Sequence, residues 1–199
     1  MIDIFIFRHG ETDWNKKRRL QGQTDIPLNE TGREQARDLA IKLKRYNPEV
    51  ILTSDLSRAK ETAEIVNKII STSVIKSAEL RECSLGDSEG LVQSEVVEVY
   101  GEAAWRKWLS VHPSDHDFSF PNGETKRAHL NRMAAYLNNF LKAERFKRIA
   151  ISTHGASLRR LIHNCSGAPE EPVPLPNGAL YRISFDPKPG KWVYQGRLE

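Results

Sequence analysis

The chain has 199 residues and a mass of 22.7 kDa, enough for one domain that removes roughly 70% of its unfolded surface from water. Hydrophobic residues make up 39% and charged residues 28%, a balance that excludes a disordered or fibrous chain. A net charge of +4 fits attraction for small anions better than nucleic-acid binding, because the basic run KKRRL at residues 16–20 is short and lacks the interleaved aromatics of a stacking platform.

Residues 2–7 form an apolar run broken only by Asp3, as expected of a strand covered on both faces. The run is too short to cross a bilayer and no basic stretch precedes it, so neither an export signal nor a membrane partner is expected. Residues 31–46 place Ala36, Leu39, Ala40 and Leu43 on one helical face, opened by the pair Thr31 and Glu34, which predicts a capping box. A second buried run, EVILT at residues 49–53, is followed by a helical pattern over residues 57–70. Cys83 and Cys165 have neither disulfide nor metal spacing, which predicts a reducing, cytoplasmic setting.

Residues 88–121 differ in texture, with Trp105, Trp108, His112 and His116 but no buried-strand signal. They predict an insertion over one edge of the sheet. Trp105 and Trp108 share a helical face that points first to a core role; His112 and His116 fall in a loop able to meet an acidic substrate. Residues 124–143 predict the longest helix, with Leu130, Met133, Ala134, Leu137, Phe140 and Leu141 on its apolar face. RIAIST at 148–153 is a third buried strand, and ALYRISFD and KWVYQGRL around PKPGK predict a terminal hairpin. The fold class is therefore α/β: a three-layer α/β/α sandwich with a mostly parallel mixed central sheet, one domain over residues 1–199, and a short helical and loop lid at about 88–122.

Ligands of open α/β sheets bind beyond the carboxyl ends of the strands. Each of the three buried runs is followed by a polar motif: RHGE from Arg8, SDLSRAKET from Ser54, and HGAS from His154. Taken singly, His9 reads as a structural histidine and Arg58 as a solvated one. Together, two arginines and two histidines on one edge require a compensating anion. Arginine forks and helix N-termini suit a phosphoryl group. Neighbouring cations would keep the His9 imidazole neutral, leaving a ring nitrogen free to attack phosphorus. Arg8, Arg58 and His154 would then stabilise the equatorial oxygens.

RHGETDWN, SDLSRAKETA, LRECSLGDSEG and STHGAS, running in order from Ile4 to about Arg160, resemble the histidine phosphatases, the superfamily that includes the cofactor-dependent phosphoglycerate mutases. The resemblance implies that His9 is the phosphorylated nucleophile, that Arg8, Arg58 and His154 line the phosphate pocket with Gly155, and that Asn15, Gln21 and Gly22 touch phosphate or substrate. Thr12 and Asp13 receive no role. Glu82 falls where the family keeps its proton donor, and a carboxyl shielded from water beside a phosphate dianion is suited to protonating an alkoxide. Its plain alternative is a surface carboxylate paired with Arg81.

The sequence departs from the family at three points. Gly86 is followed by Asp87, Ser88, Glu89 and Gly90, where many relatives carry a tryptophan, so an aromatic wall is expected to be missing. Ala156 and Asn122 stand where glycines are common. Family mutases usually carry a longer insertion after the acid, so hydrolysis of a small phosphorylated metabolite through phosphohistidine is the preferred reading. Phosphoglycerate mutase-type transfer is the alternative, and a non-catalytic anion- or nucleic-acid-binding module a weaker one. The arginines and histidines supply the positive charge, so no metal and no cofactor are expected. Cys83, beside Glu82, reads as a buried structural thiol. Oligomeric state is not encoded in any feature of the sequence.

Overall fold

The computed structural model describes residues 1–143 and 145–199. Its strands are β1 (Ile2–Arg8), β2 (Val50–Ser54), β3 (Ser73–Ser77), β4 (Arg148–Thr153), β5 (Leu180–Asp186) and β6 (Lys191–Leu198), in the sheet order β3-β2-β4-β1-β5-β6. The first four are parallel, and β5 and β6 close one edge as the antiparallel hairpin. The helices are α1 (Asp13–Lys16), α2 (Glu30–Lys44), α3 (Ser57–Ile70), α4 (Gln93–Tyr100), α5 (Glu102–Leu109), α6 (Lys126–Ala143) and α7 (Gly155–His163).

Side chains alternate across a strand, so one apolar run can feed two cores. Ile2, Ile4 and Ile6 of β1 pack with Met133, Leu137 and Leu141 of α6 and Leu158 and Leu161 of α7. Phe5 and Phe7 pack on the other face, with Leu39, Ala40 and Leu43 of α2 and Ala63 and Val66 of α3. That division produces the three layers. Truncating a filled position such as Met133, which is wholly buried, costs about 2–5 kcal/mol because a cavity remains.

Two local expectations change. Helix α2 starts earlier than Thr31: Asn29 caps it by accepting from the Gly32 N–H, so the Thr31–Glu34 pair lies inside the helix. An asparagine at N-cap competes well for that orphan donor, and its position is fixed by Glu11, whose carbonyl accepts from the Asn29 N–H at 3.0 Å. The short edge strand β3 escapes the sequence pattern because only one of its faces touches the core and most of its residues are exposed. Asn122 does adopt the left-handed conformation its motif demands, with φ 59°, which asparagine tolerates better than other side chains. Among the described residues no helix is long and apolar enough to cross a membrane.

Candidate active site

Register brings the site together before any side-chain contact does. Strand β4 lies between β1 and β2, and Arg8 pairs with Thr153, so His9 and His154 leave adjacent strands at the same level. Their rings stand 5.3 Å apart, edge to face. Helix α3 follows β2 and carries Arg58 in its first turn. A cavity of about 290 Å³ opens at this edge, lined by Arg8, His9, Asn15, Gln21, Gly22, Arg58, Glu82 and Gly155 among others. His154, expected to line the pocket, does not: it is fully buried beside His9. The other residues singled out from the sequence for this site share the cavity.

The His9 ring is oriented by the backbone. Nδ1 lies 2.6 Å from the Gly10 carbonyl oxygen, which can only accept, so Nδ1 carries the hydrogen and Nε2 keeps its lone pair. Asn177 holds the same corner, its Nδ2 donating to the carbonyls of His9 and Gly10 at 3.1 and 3.2 Å. The Gly10 N–H donates to Thr62 Oγ1 at 3.1 Å, and that hydroxyl donates to the Arg58 carbonyl at 2.7 Å. The nucleophile loop and the arginine helix are therefore tied directly. Burial holds the His9 imidazolium well below its ordinary pKa, with Arg58 and Arg8 adding to the effect. The neutral ring predicted from its cationic neighbours is obtained, but burial is the larger cause.

Arg58 is 1% exposed, and its Nη1 and Nη2 donate to the carbonyls of Thr24 and Gly22 at 2.9 and 2.8 Å. Those bonds hold the loop of residues 21–24 against the cavity. Gly22 sits there at φ +52°, and a Cβ on it would fall 2.0 Å from Glu89 Oε1, so neither its conformation nor its surroundings admit a side chain. Glu89 organises the same loop by accepting from the backbone of Gln23 and Thr24. Arg8 donates from Nη1 to the Leu175 carbonyl at 2.6 Å. Burial lowers both arginines to about 10, which leaves them cationic at neutral pH. Arg8 Nε, Arg58 Nε and both ring nitrogens of His154 are buried and meet no partner among the described residues. Donors and dipoles of that kind favour an anion.

Glu82 is not the surface carboxylate of the plain alternative. Arg81 pairs instead with Asp55, at 2.6 and 2.7 Å, and the Glu82 carboxylate caps the N-terminus of α7. Oε2 accepts from the Ala156 N–H at 2.8 Å, and Oε1 from the N–H of Ser157 and Cys83 at 3.0 Å. An acidic group at this position satisfies first-turn donors and meets the positive end of the helix dipole. Cys83 is buried and its thiol is pushed up to about 12 by burial, as a structural cysteine would be.

Two sequence expectations are corrected here. Trp105 and Trp108 take the expected core role, Trp108 buried against Phe120 and Trp105 packed on the same cluster, and they also line the cavity together with Leu109. An aromatic wall is therefore present, delivered from α5 rather than from the segment after Glu82. His112 and His116 line a different cavity, with Glu170 and Glu171, and do not reach the one containing His9. Sequence reasoning also missed Thr62, Asn177, Arg159 and Leu175. Arg159 and Leu175 line the cavity, and only Arg159 had a readable signal, one helical turn beyond Gly155. Thr12, left without a role, is the N-cap of α1 and holds Asn15 in a capping box.

The sequence matches the Histidine phosphatase superfamily (branch 1) over residues 4–196. The chain belongs to that family. An uncharacterized phosphatase of Bacillus subtilis is 34% identical over 187 residues, 93% of this chain and 89% of the relative. A probable phosphoglycerate mutase of Proteus mirabilis is 35% identical, covering 98% of this chain and 90% of its own. Among solved structures, the mycobacterial glucosyl-3-phosphoglycerate phosphatase in complex with VO3 superposes with a TM-score of 0.86 over 98% of each chain; its 24% identity speaks for the fold. This member of the superfamily is accordingly an enzyme of the phosphatase or mutase kind.

Proposed function

We propose that the protein is a metal-independent, cytoplasmic phosphomonoesterase that hydrolyses small phosphorylated metabolites through a phosphohistidine on His9. The observation that carries this reading is the tautomer: with Nδ1–H held by the Gly10 carbonyl at 2.6 Å, the Nε2 lone pair belongs to the cavity wall shared with Arg8, Arg58 and Gly155. In the first step Nε2 forms a bond to phosphorus while the phosphorus–ester oxygen bond breaks. The electron pair stays with that oxygen, which takes a proton from Glu82 and leaves as the alcohol. The ring gains positive charge, which the Gly10 carbonyl accepts through Nδ1–H. Arg8, Arg58 and His154 meet the charge on the transferring oxygens, and Asn15, Gln21 and Gly22 border the same space. Water then attacks phosphorus, gives its proton to Glu82, and the nitrogen–phosphorus pair returns to Nε2.

The mutase reading has support in the Proteus mirabilis relative. It differs only in the acceptor, a second substrate hydroxyl in place of water. Quenching turnover of a radiolabelled phosphate ester in alkali and mapping the acid-labile label tests the common step. Label on His9, with release lost by at least about a thousandfold in His9→Ala, is the expected result. Label elsewhere, or equal rates in parent and variant, removes His9 from the mechanism. Label appearing on a second hydroxyl of the substrate, in place of free phosphate, assigns the mutase.

A further inference from the structure

Behind Glu82 lies a directed hydrogen-bond chain that its role as an acid does not by itself require. His129 Nε2 is 3.3 Å from the Arg81 carbonyl oxygen and 3.1 Å from Ser157 Oγ. A carbonyl only accepts, so Nε2 carries the ring hydrogen. Ser157 Oγ lies 3.0 Å from Glu82 Oε1. That one ring hydrogen is shared between the Arg81 carbonyl and the nearer Ser157 Oγ, so the Ser157 hydroxyl keeps its own hydrogen for Glu82 Oε1.

The two carboxylate oxygens are thereby made unequal. Oε1 receives the Ser157 hydroxyl in addition to the backbone N–H groups of Ser157 and Cys83. Among the described residues Oε2 receives only the Ala156 N–H. An oxygen with three donors has no lone pair left for a proton. His129 itself is wholly buried and its Nδ1 meets no partner among the described residues. Burial, then Arg160 and Arg132, holds its imidazolium well below the ordinary value, so the ring stays neutral and the chain keeps one polarity.

We propose that His129 is a positioning residue, acting through Ser157 to hold Glu82 so that Oε2 alone exchanges the proton with leaving group and water. The proposal rests on the reading of Glu82 as the acid. The charged and titratable groups that face Glu82 are Arg8 from β1, Arg58 from α3, His129 from α6 with Nε2 3.9 Å from Oε1, Arg159 and Arg160 from α7, and the thiol of the adjacent Cys83. Among the described residues none of these side chains hydrogen-bonds Oε1, and the Ser157 hydroxyl is the side chain that does.

The test compares p-nitrophenyl phosphate, whose leaving group needs no proton, with glycerol 2-phosphate, whose leaving group does. Rates are normalised to trapped phosphoenzyme so that a folding defect does not count. Ser157→Ala and His129→Leu should each lower kcat/KM for glycerol 2-phosphate by about tenfold while changing p-nitrophenyl phosphate by no more than about threefold, the loss of one hydrogen bond to a charged group. His129→Gln, which can place an N–H near the same hydroxyl, should restore the parental ratio. Equal slowing of both esters, or a His129→Gln variant as impaired as His129→Leu, overturns the proposal. Glu82→Gln separates the two levels. If it slows the alkyl ester selectively and the Ser157 and His129 variants do not, only the positioning chain falls; if it slows both esters equally, the acid role falls and the chain with it.

Discussion

The phosphate edge of the sheet and the segment over residues 88–122 are built on opposite principles. At the edge, His9, Arg58 and His154 are 2%, 1% and 0% exposed, and backbone carbonyls and adjacent strands fix each of them. The 88–122 segment shares a small apolar cluster with the body, in which Val96, Trp108 and Phe120 meet Cys83, Leu85 and Ala156. Polar bonds fasten it as well: Glu89 accepts from the backbone of Gln23 and Thr24, and Arg19 donates to the Gly90 carbonyl. Lys126 Nζ donates to the carbonyls of Lys107 and Ser110 at 2.7 and 2.6 Å, which finishes the C-terminus of α5. Arg160 lies over the Trp108 ring at 4.7 Å. On the proposed function, the phosphoryl group common to every monoester would meet the buried edge, and the group attached to it would meet Trp105 and Trp108, which line the same cavity. A fold arranged in this way can change substrate without disturbing its chemistry.

The comparison breaks first at Arg58. Arg58→Lys keeps a charge but cannot both hold the carbonyls of Gly22 and Thr24 and offer a donor to phosphate, so kcat/KM should fall by about a hundredfold on every ester. A loss confined to one ester, measured across a panel of phosphorylated metabolites, would put Arg58 on the specificity side instead.

Acid sharpens the contrast. His9, His129 and His154 are all held below their ordinary pKa chiefly by burial, so below about pH 6.5 the unfolded chain binds protons that the folded chain does not. Their stability contribution is therefore complete above about pH 6.5 and declines as pH falls below it. Urea unfolding between about pH 7.5 and about pH 5 should show this slope, and His129→Gln should lower it by the share of one histidine. A flat profile would mean that the folded chain takes up protons over this range as the unfolded chain does.

The smallest effect belongs to the tryptophan wall. Trp105→Ala and Trp108→Ala should raise KM for p-nitrophenyl phosphate by about threefold to tenfold through lost aromatic contact, with kcat changed less. A dominant fall in kcat would show that α5 orders the phosphate edge as well.

The motifs after the buried strands were legible because each strand end fixes where its next residue lies, and the residues matching the family's phosphate site are local to those ends. Trp105, Trp108, Asn177 and His129 were illegible for the converse reason. Helical spacing reports that Trp105 and Trp108 share a face but not what that face meets, and Asn177 reaches Gly10 across 167 positions of chain. His129 has no periodic or motif signal and acquires meaning only when α6 packs beside α7.

By itself, then, the sequence determined the order of β1, β2, β4, β5 and β6 and of the helices α2, α3 and α6 between them, the two-faced burial of β1, and the motif set at the sheet's carboxyl edge, since period and strand-end chemistry are properties of neighbouring residues. Tertiary structure alone decided the His9 tautomer, the four donors around Glu82, and the source of the aromatic wall. Each of these depends on groups distant in the chain meeting within hydrogen-bond or van der Waals reach. No local pattern encodes that meeting.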